Sequence, residues 1–284
     1  MNKAQPRQIW LCADDYGISP AVSTAIRELI ARRRLNAASV MVVTPSFSSN
    51  EAASLRDAAD AHAAIGLHLT LTAPYRPLTD FAPLRDGAFL PLAGMARRAL
   101  LRQLEAARLD AEIARQLAAF RTAFGRAPDY VDGHQHIHVF PQIREAALRV
   151  IKQSAPQAWL RQCGRPKAAR KSLADPKGYI LDALSGQLRA LAAKYGVRTN
   201  PAFAGTYAFR PEADFAKLFV GFLDGLPDGG LVMCHPGKVD GELRQLDPLT
   251  DLREREYAFL LDERFPRLLA ERGYALAHPE LRLR

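Results

Sequence analysis

The chain has 284 residues, of which 48% are hydrophobic and 24% charged, an ordinary balance for a soluble globular protein with a sizeable core. Its net charge of +9 is open to an anionic partner, but scattered arginines carry most of it, which reads as a solvated surface. Three cysteines (Cys12, Cys163, Cys234) contain no CxxC and cannot close a disulfide framework, and no apolar run fits a signal peptide or a membrane span, so a reduced, cytoplasmic protein is expected.

Residues 8–13 (QIWLCA) are too short an apolar run for a helix and predict a buried strand. The run ends in Asp14-Asp15-Tyr16-Gly17, and Ser19-Pro20 then supplies a helix N-cap followed by a first-turn proline. Two adjacent carboxylates thus stand at the C-terminal end of a strand, where parallel α/β folds place ligand sites. A turn by itself needs only one aspartate. Residues 37–44 predict a second strand and 48–61 a helix. In residues 64–72 (AIGLHLTLT), alternation sets Ile65, Leu67, Leu69 and Leu71 on one face and Gly66, His68, Thr70 and Thr72 on the other. Packing of the apolar face on helices leaves His68 on the polar side.

Residues 73–93, rich in proline and glycine, read as a long loop. One or two helices follow to residue 125, with a stripe of Ile113, Leu117, Phe120 and Phe124. Seven arginines here and at the flank (97, 98, 102, 108, 115, 121, 126) face only Glu105, Asp110 and Glu112. Such an excess suits a solvated helix face, a lid, a dimer face or contact with an anionic membrane surface.

Residues 130–138 (YVDGHQHIH) are the densest in chemistry, with His134, His136 and His138 at period two. As a strand, this segment would point all three imidazoles to one side. Imidazole is the commonest protein metal ligand and the usual proton carrier near neutral pH. An isolated HxHxH also fits a solvent-facing cluster, or histidines that cap carbonyls at a strand end. Pro141 is placed to open a helix ending near Lys152, residues 158–163 (AWLRQC) predict a strand with Arg161 near its end, and 165–177 read as a basic loop. A helix over 179–195, a strand over 200–206, a helix over 214–223 and a strand over 229–237 follow, the last ending in His235-Pro236-Gly237. Residues 251–272 predict one long helix, and 274–277 a short final run.

Strands alternate with helices about eight times with no linker and no repeat, which predicts an α/β protein: a (β/α) barrel as a single domain over residues 1–284, with an excursion at about 73–126. Asp14, Asp15, His68, His134, Arg161 and His235 all fall at strand C-terminal ends, the face on which barrels carry active sites. One carboxylate with two imidazoles makes an open site for one divalent metal ion, zinc or magnesium. A second carboxylate can take a proton from water and a histidine opposite can protonate a departing amine, an inventory for metal-assisted amide hydrolysis. GxSxG, Walker A and GxGxxG sequences are absent, and Cys234 and His235, as strand neighbours, point apart.

ADDYG, GLHLTLT, DGHQHIHVFPQI and MCHPGKVD, in that order and spacing from about Ile9 to Ala277, resemble the signature stretches of the YdjC-like carbohydrate deacetylases, the ChbG/HpnK type of N-acylglucosamine amidohydrolase. The resemblance implies a distorted β/α barrel binding one divalent metal through Asp15, His68 and His134. It implies Asp14 as general base and His235 as general acid. His136, His138 and Arg161 would lie behind the ligands or against substrate. The implied substrate is an N-acetylated sugar, as in chitooligosaccharide deacetylases, or a glycolipid, as in proteins of hopanoid biosynthesis, with possible peripheral membrane contact or a homodimer. Two other readings remain at this point. The HxHxH run suits a two-metal hydrolase of a phosphoester or cyclic amide. The charge suits a basic binding protein, although helix-turn-helix and RRM-type sequences are absent and the basic stretches lack interleaved aromatics, so no nucleic-acid partner is expected.

Overall fold

A computed structural model describes residues 5–169 and 176–278. The strands in chain order are β1 (Arg7–Tyr16), β2 (Ala37–Val40), β3 (Ala64–Leu69), β4 (Leu84–Arg85), β5 (Ala88–Phe89), β6 (Tyr130–Gly133), β7 (Trp159–Leu160), β8 (Phe203–Ala204), β9 (Leu231–Cys234) and β10 (Tyr274–Leu276). The helices between them are α1 (Pro20–Ala31), α2 (Ser49–Ala59), α3 (Leu92–Leu100), α4 (Ala106–Phe124), α5 (Ile143–Ser154), α6 (Pro176–Tyr195) and α7 (Phe215–Leu223). After β9 come α8 (Gly241–Leu246), α9 (Asp251–Leu261) and α10 (Phe265–Glu271).

The main sheet runs β7-β6-β3-β2-β1-β9-β8, every pair parallel, with β10 on the lower end of β1. Parallel strands need a crossover each, and the helices that provide it cover the outer face, so the strands are buried on both sides. The sheet rolls into the barrel expected from the alternation, with the distortion that the resemblance implies. Its seam is thin: Leu160 N–H donates to the Arg198 carbonyl at 2.9 Å and Phe203 N–H to the Gly164 carbonyl at 3.0 Å. At the opposite end, buried Asn36 stitches three strands, accepting from Leu11 N–H at 2.7 Å and donating to the carbonyls of Ile9 and Ala277 at 2.9 and 2.8 Å.

Local chemistry sets the helix ends. Ser19 caps α1 by accepting from Val22 N–H with Pro20 in the first turn, and α1 buries Val22, Ala25, Ile26, Leu29 and Ile30 as its stripe requires. Ser48 caps α2, and Gly125 closes α4 at φ 69°, a left-handed position that glycine takes without a Cβ clash. Four local expectations change. Residues 73–93 contain the hairpin of β4 and β5, and Glu112 of α4 pins the loop, accepting from Leu78 N–H at 3.1 Å and the Thr79 hydroxyl at 2.6 Å. The single helix over 251–272 is two, α9 and α10, broken where Asp262 accepts from Arg264 N–H at 2.8 Å. Helix α8, capped by Asp240, adds an element that the apolar pattern does not show. In the stretch read as a basic loop, residues 167–169 form a 3₁₀ turn, and 170–175 lie outside the described residues.

The barrel interior is layered. Trp159 stacks on Tyr130 with ring centroids 4.5 Å apart, and Trp10 lies 6.0 Å from Trp159. Gly66 makes room for this plug, since a Cβ there would fall 2.3 Å from the Tyr130 ring. The Tyr130 hydroxyl meets Cys12 Sγ at 3.0 Å and Ser39 Oγ at 3.1 Å, marking the passage from an apolar floor to a polar layer. Residues two positions further along the same strands form that layer, because side chains alternate with period two.

Candidate active site and metal centre

Asp14 and Asp15 are consecutive in β1, so a regular strand would send them to opposite faces. The pairing of β1 with β2 shifts here: Ala13 opposes Ala38 and Tyr16 opposes Val40, leaving two residues of β1 against one of β2. Asp15 sits in this bulge at φ 67°. Aspartate tolerates the left-handed region better than most residues, and bulges re-aim side chains beside active sites. The result is that both carboxylates, each no more than 2% exposed, face the same centre.

Asp15, His68 and His134 each offer one ligand atom, all within 4.8 Å of one another and all buried. Asp15 Oδ1 lies 3.2 Å from His68 Nε2 and 3.0 Å from His134 Nδ1. The other nitrogen of His68, Nδ1, meets Asp132 Oδ1 at 2.7 Å, which turns Nε2 toward Asp15. Nε2 itself is buried without a hydrogen-bond partner. A buried, unpartnered imidazole nitrogen aimed at a carboxylate, with its far side held by a second carboxylate, fits a divalent-metal ligand and its orienting residue. The second oxygen of Asp15 accepts from Arg253 Nη2 at 2.6 Å. Burial opposes the charge on Asp15, but Arg253 and His134 outweigh it and hold the carboxyl well below the usual range.

Asp14 is gripped by Arg161, whose Nη1 and Nη2 reach its two oxygens at 2.8 and 2.6 Å. Burial pushes the Asp14 carboxyl up, but the guanidinium pulls it to about 2. Arg161 also pairs with Asp132 and donates from Nη2 to Ser39 Oγ at 3.1 Å. Cys12, Asp14 and Asp132 form a second group with metal-ligand spacing. Arg161 fills it, lying within hydrogen-bonding reach of all three. The Cys12 thiol, pushed up by burial to about 11, stays protonated. The second group is therefore already occupied by a side-chain cation, whereas Asp15, His68 and His134 could hold a metal ion.

His235 follows the end of β9, the strand beside β1, and the charges of Asp15 and Asp14 act on it. Burial is the largest influence and holds the imidazole below its ordinary range. Its backbone N–H donates to Glu256 Oε2 at 2.6 Å, and Tyr207 donates to Glu256 Oε1 at 2.6 Å. Burial raises the Glu256 carboxyl to about 7 against these donors and Arg253.

The three histidines of HQHIH do not share a face. Strand β6 stops at Gly133, and residues 134–139 form a 3₁₀ turn in which Gln135 and His136 take φ 53° and 57°. The physical reason is at Gly133, where a Cβ would lie 2.8 Å from His138 Nδ1: glycine lets His138 fold back over the strand end. Only His134 reaches the ligand cluster. His138 Nε2 meets the Arg161 carbonyl at 2.8 Å and so supports that residue from behind. His136 stands 3.7 Å from Cys163 Sγ, edge-on to Phe203. Burial lowers both imidazoles, to about 3 for His138 and about 4 for His136.

Sequence reasoning missed Arg253, Glu256 and the role of Asp132. Helix α9 buries Leu252, Arg253, Glu256 and Leu260. A signal existed: Glu256 stands between Leu252 and Leu260 at spacing four, where a helical stripe wants an apolar residue.

Residues 8–271 match the family model described as YdjC-like protein. The chain is 29% identical to the chitooligosaccharide deacetylase of Escherichia fergusonii over 270 residues, 93% of this chain and 94% of that protein. A crystal structure from Enterococcus faecalis V583, of a candidate cellobiose-phosphate cleavage protein, aligns at a TM-score of 0.72 with 23% identity, covering 97% of this chain and 98% of that one. That likeness extends the barrel to a solved fold. With its match spanning nearly every element from β1 to α10, the chain belongs to the YdjC-like protein family.

Proposed function

We propose that this protein is a metal-dependent hydrolase that removes the acetyl group from an N-acetylated amino sugar, a chitooligosaccharide or a lipid-linked N-acetylglucosamine of the hopanoid type. The observation that carries the reading is the buried Asp15, His68 and His134 cluster flanked by the ionised Asp14 and by His235. The name of the Escherichia fergusonii relative supports the substrate class. We further assign the work to the whole chain as one catalytic unit in the reducing cytoplasm, in keeping with three buried, free thiols.

Asp15, His68 and His134 would hold one divalent ion, zinc or magnesium. When bound, such an ion would polarise a carbonyl and acidify its bound water, to a pKa of about 7 in the case of zinc. Asp14 accepts the proton of the attacking water at a lone pair that Arg161 leaves free, since each carboxylate oxygen has two. The water oxygen bonds to the acetyl carbon, the carbon–nitrogen bond breaks, and His235 gives a proton to the leaving nitrogen. A lowered imidazole pKa makes the protonated His235 a stronger acid than an exposed one, and activity that depends on its proton is expected to fall as pH rises through a range below the ordinary imidazole value. Arg161 keeps Asp14 charged and aimed. His136 and His138 act from behind or along the substrate path.

Acetate release from N,N′-diacetylchitobiose, measured with zinc or magnesium added, tests the reading. Asp14→Asn and His134→Ala are each expected to lower kcat by roughly 10²–10⁴-fold. Full activity in both variants would overturn the roles. Elemental analysis is expected to give one metal per chain, because Arg161 fills the second cluster. Two metals would instead favour a binuclear phosphoester or cyclic-amide hydrolase.

A further inference from the structure

Phe209 lies on the segment after β8, on the same face of the barrel as the site, and is 45% exposed. A single exposed aromatic carries no meaning by itself. This one is fixed beside the proposed proton donor: its ring centroid is 5.5 Å from that of His235, with the planes at 77°. Tyr207 leans on it at 4.4 Å. Tyr207 is hydrogen-bonded to Glu256, and Glu256 also accepts from the His235 backbone, so imidazole and phenyl ring hang from one buried carboxylate. The segment's start is equally constrained. Gly205 has φ 112°, and a Cβ there would come within 2.2 Å of the Met233 carbonyl, so the chain leaving β8 is pressed onto β9. A hydrophobic ring is thus held partly out to solvent at the edge of a charged centre, where a ligand with an apolar face could cover it.

We propose that Phe209 is the platform on which the pyranose ring carrying the acetamide rests, and that it selects a sugar over other acetylated amines. This rests on the deacetylase reading above. The axial C–H groups of a glucopyranose form an apolar face with partial positive charge, which meets the negative face of a phenyl ring. Such a contact orients a neutral ring without a charged partner, and aromatic side chains beside a few placed polar groups are the usual lining of small-molecule sites. With the sugar on Phe209, its nitrogen lies on the His235 side and its acetyl group toward Asp15, His68 and His134.

The test compares wild type, Phe209→Leu and Phe209→Trp, each loaded with metal, on N,N′-diacetylchitobiose. Acetate release gives kcat and KM, and saturation-transfer NMR of the same sugar reports binding without turnover. Phe209→Leu keeps apolar bulk but loses the π face. It is expected to raise KM by about ten-fold with kcat within about two-fold, and to weaken saturation of the ring C–H protons. Phe209→Trp is expected to restore both. Equal KM and equal saturation in Phe209→Leu and wild type would overturn the platform. If wild type releases no acetate but binds the sugar through Phe209, the platform stands and the deacetylase reading falls. If the sugar does not bind at all, the platform falls as well.

Discussion

The two sides of the site are held by different physics. On the side of β1, β3, β6 and β7, ionic groups lock one another: Arg161 spans Asp14 and Asp132, Asp132 holds His68, and Arg253 spans Asp15 and Asp247. On the side of β8 and β9, His235 stands among aromatic rings and is tied through one neutral-range carboxyl, Glu256. The first side is a charge lattice whose members, the half-buried Asp247 apart, are all buried. The second is a looser aromatic rim open to solvent at Phe209. The contrast matches the two tasks proposed above, since a metal site needs fixed ligands whereas a sugar-binding edge needs an exposed apolar surface.

That contrast can be broken at Arg161. Arg161→Met removes the countercharge from two buried carboxylates, and a loss of about 3–5 kcal/mol in urea unfolding is expected. A variant as stable as wild type would mean that the lattice does not carry the fold on this side.

Glu256 gives the next largest effect, with a sign that differs from that of the other side. A carboxyl raised from 4.5 to about 7 by burial binds its proton more tightly in the folded state. Its favourable contribution is full below pH 4.5 and is lost as pH rises toward 7, to the extent of about 3 kcal/mol. Unfolding across that window should show Glu256→Gln losing less stability than wild type; parallel curves would refute the assignment. Asp14 behaves oppositely: its carboxyl is depressed from 3.8 to about 2, so its contribution is present above pH 3.8 and disappears as pH falls through 2.

Asp132→Asn probes how far the lattice serves the metal ligands. The amide can still meet His68 but forfeits the charge toward Arg161, and a loss of about 10–100-fold in zinc affinity is expected in a chelator competition. Unchanged affinity would detach Asp132 from the metal site. At the other extreme, Phe209→Leu is expected to change stability by less than about 0.5 kcal/mol, because the ring is exposed. A larger thermal shift would mark the rim as structural rather than as a sugar-binding edge.

Much of the architecture is legible in one dimension. The run QIWLCA, the Ser19-Pro20 helix start, the alternation of AIGLHLTLT and the strand before His235 all appear in the fold as read, because burial periodicity and capping are local. Legibility fails where the chain leaves regular geometry. YVDGHQHIH has a strand's periodicity, yet it turns at Gly133 because a glycine can pack under His138. Charged residues of α9 look solvated in sequence, and only the packing of that helix over the strand ends buries Arg253 and Glu256 in the site.

By itself, then, the sequence determined an α/β barrel order, the polar residues at the strand ends and the acid, base and ligand groups that their side chains offer. Those follow from hydrophobic period, turn residues and side-chain pKa values, which need no partner distant in the chain. Only the tertiary structure decided which of these residues meet. The bulge at Asp15 brings two neighbouring carboxylates to one centre, Arg161 occupies the second cation position, and Phe209 stands beside His235. Each of these joins segments far apart in the chain, and its geometry is set by strand register and packing that no local pattern encodes.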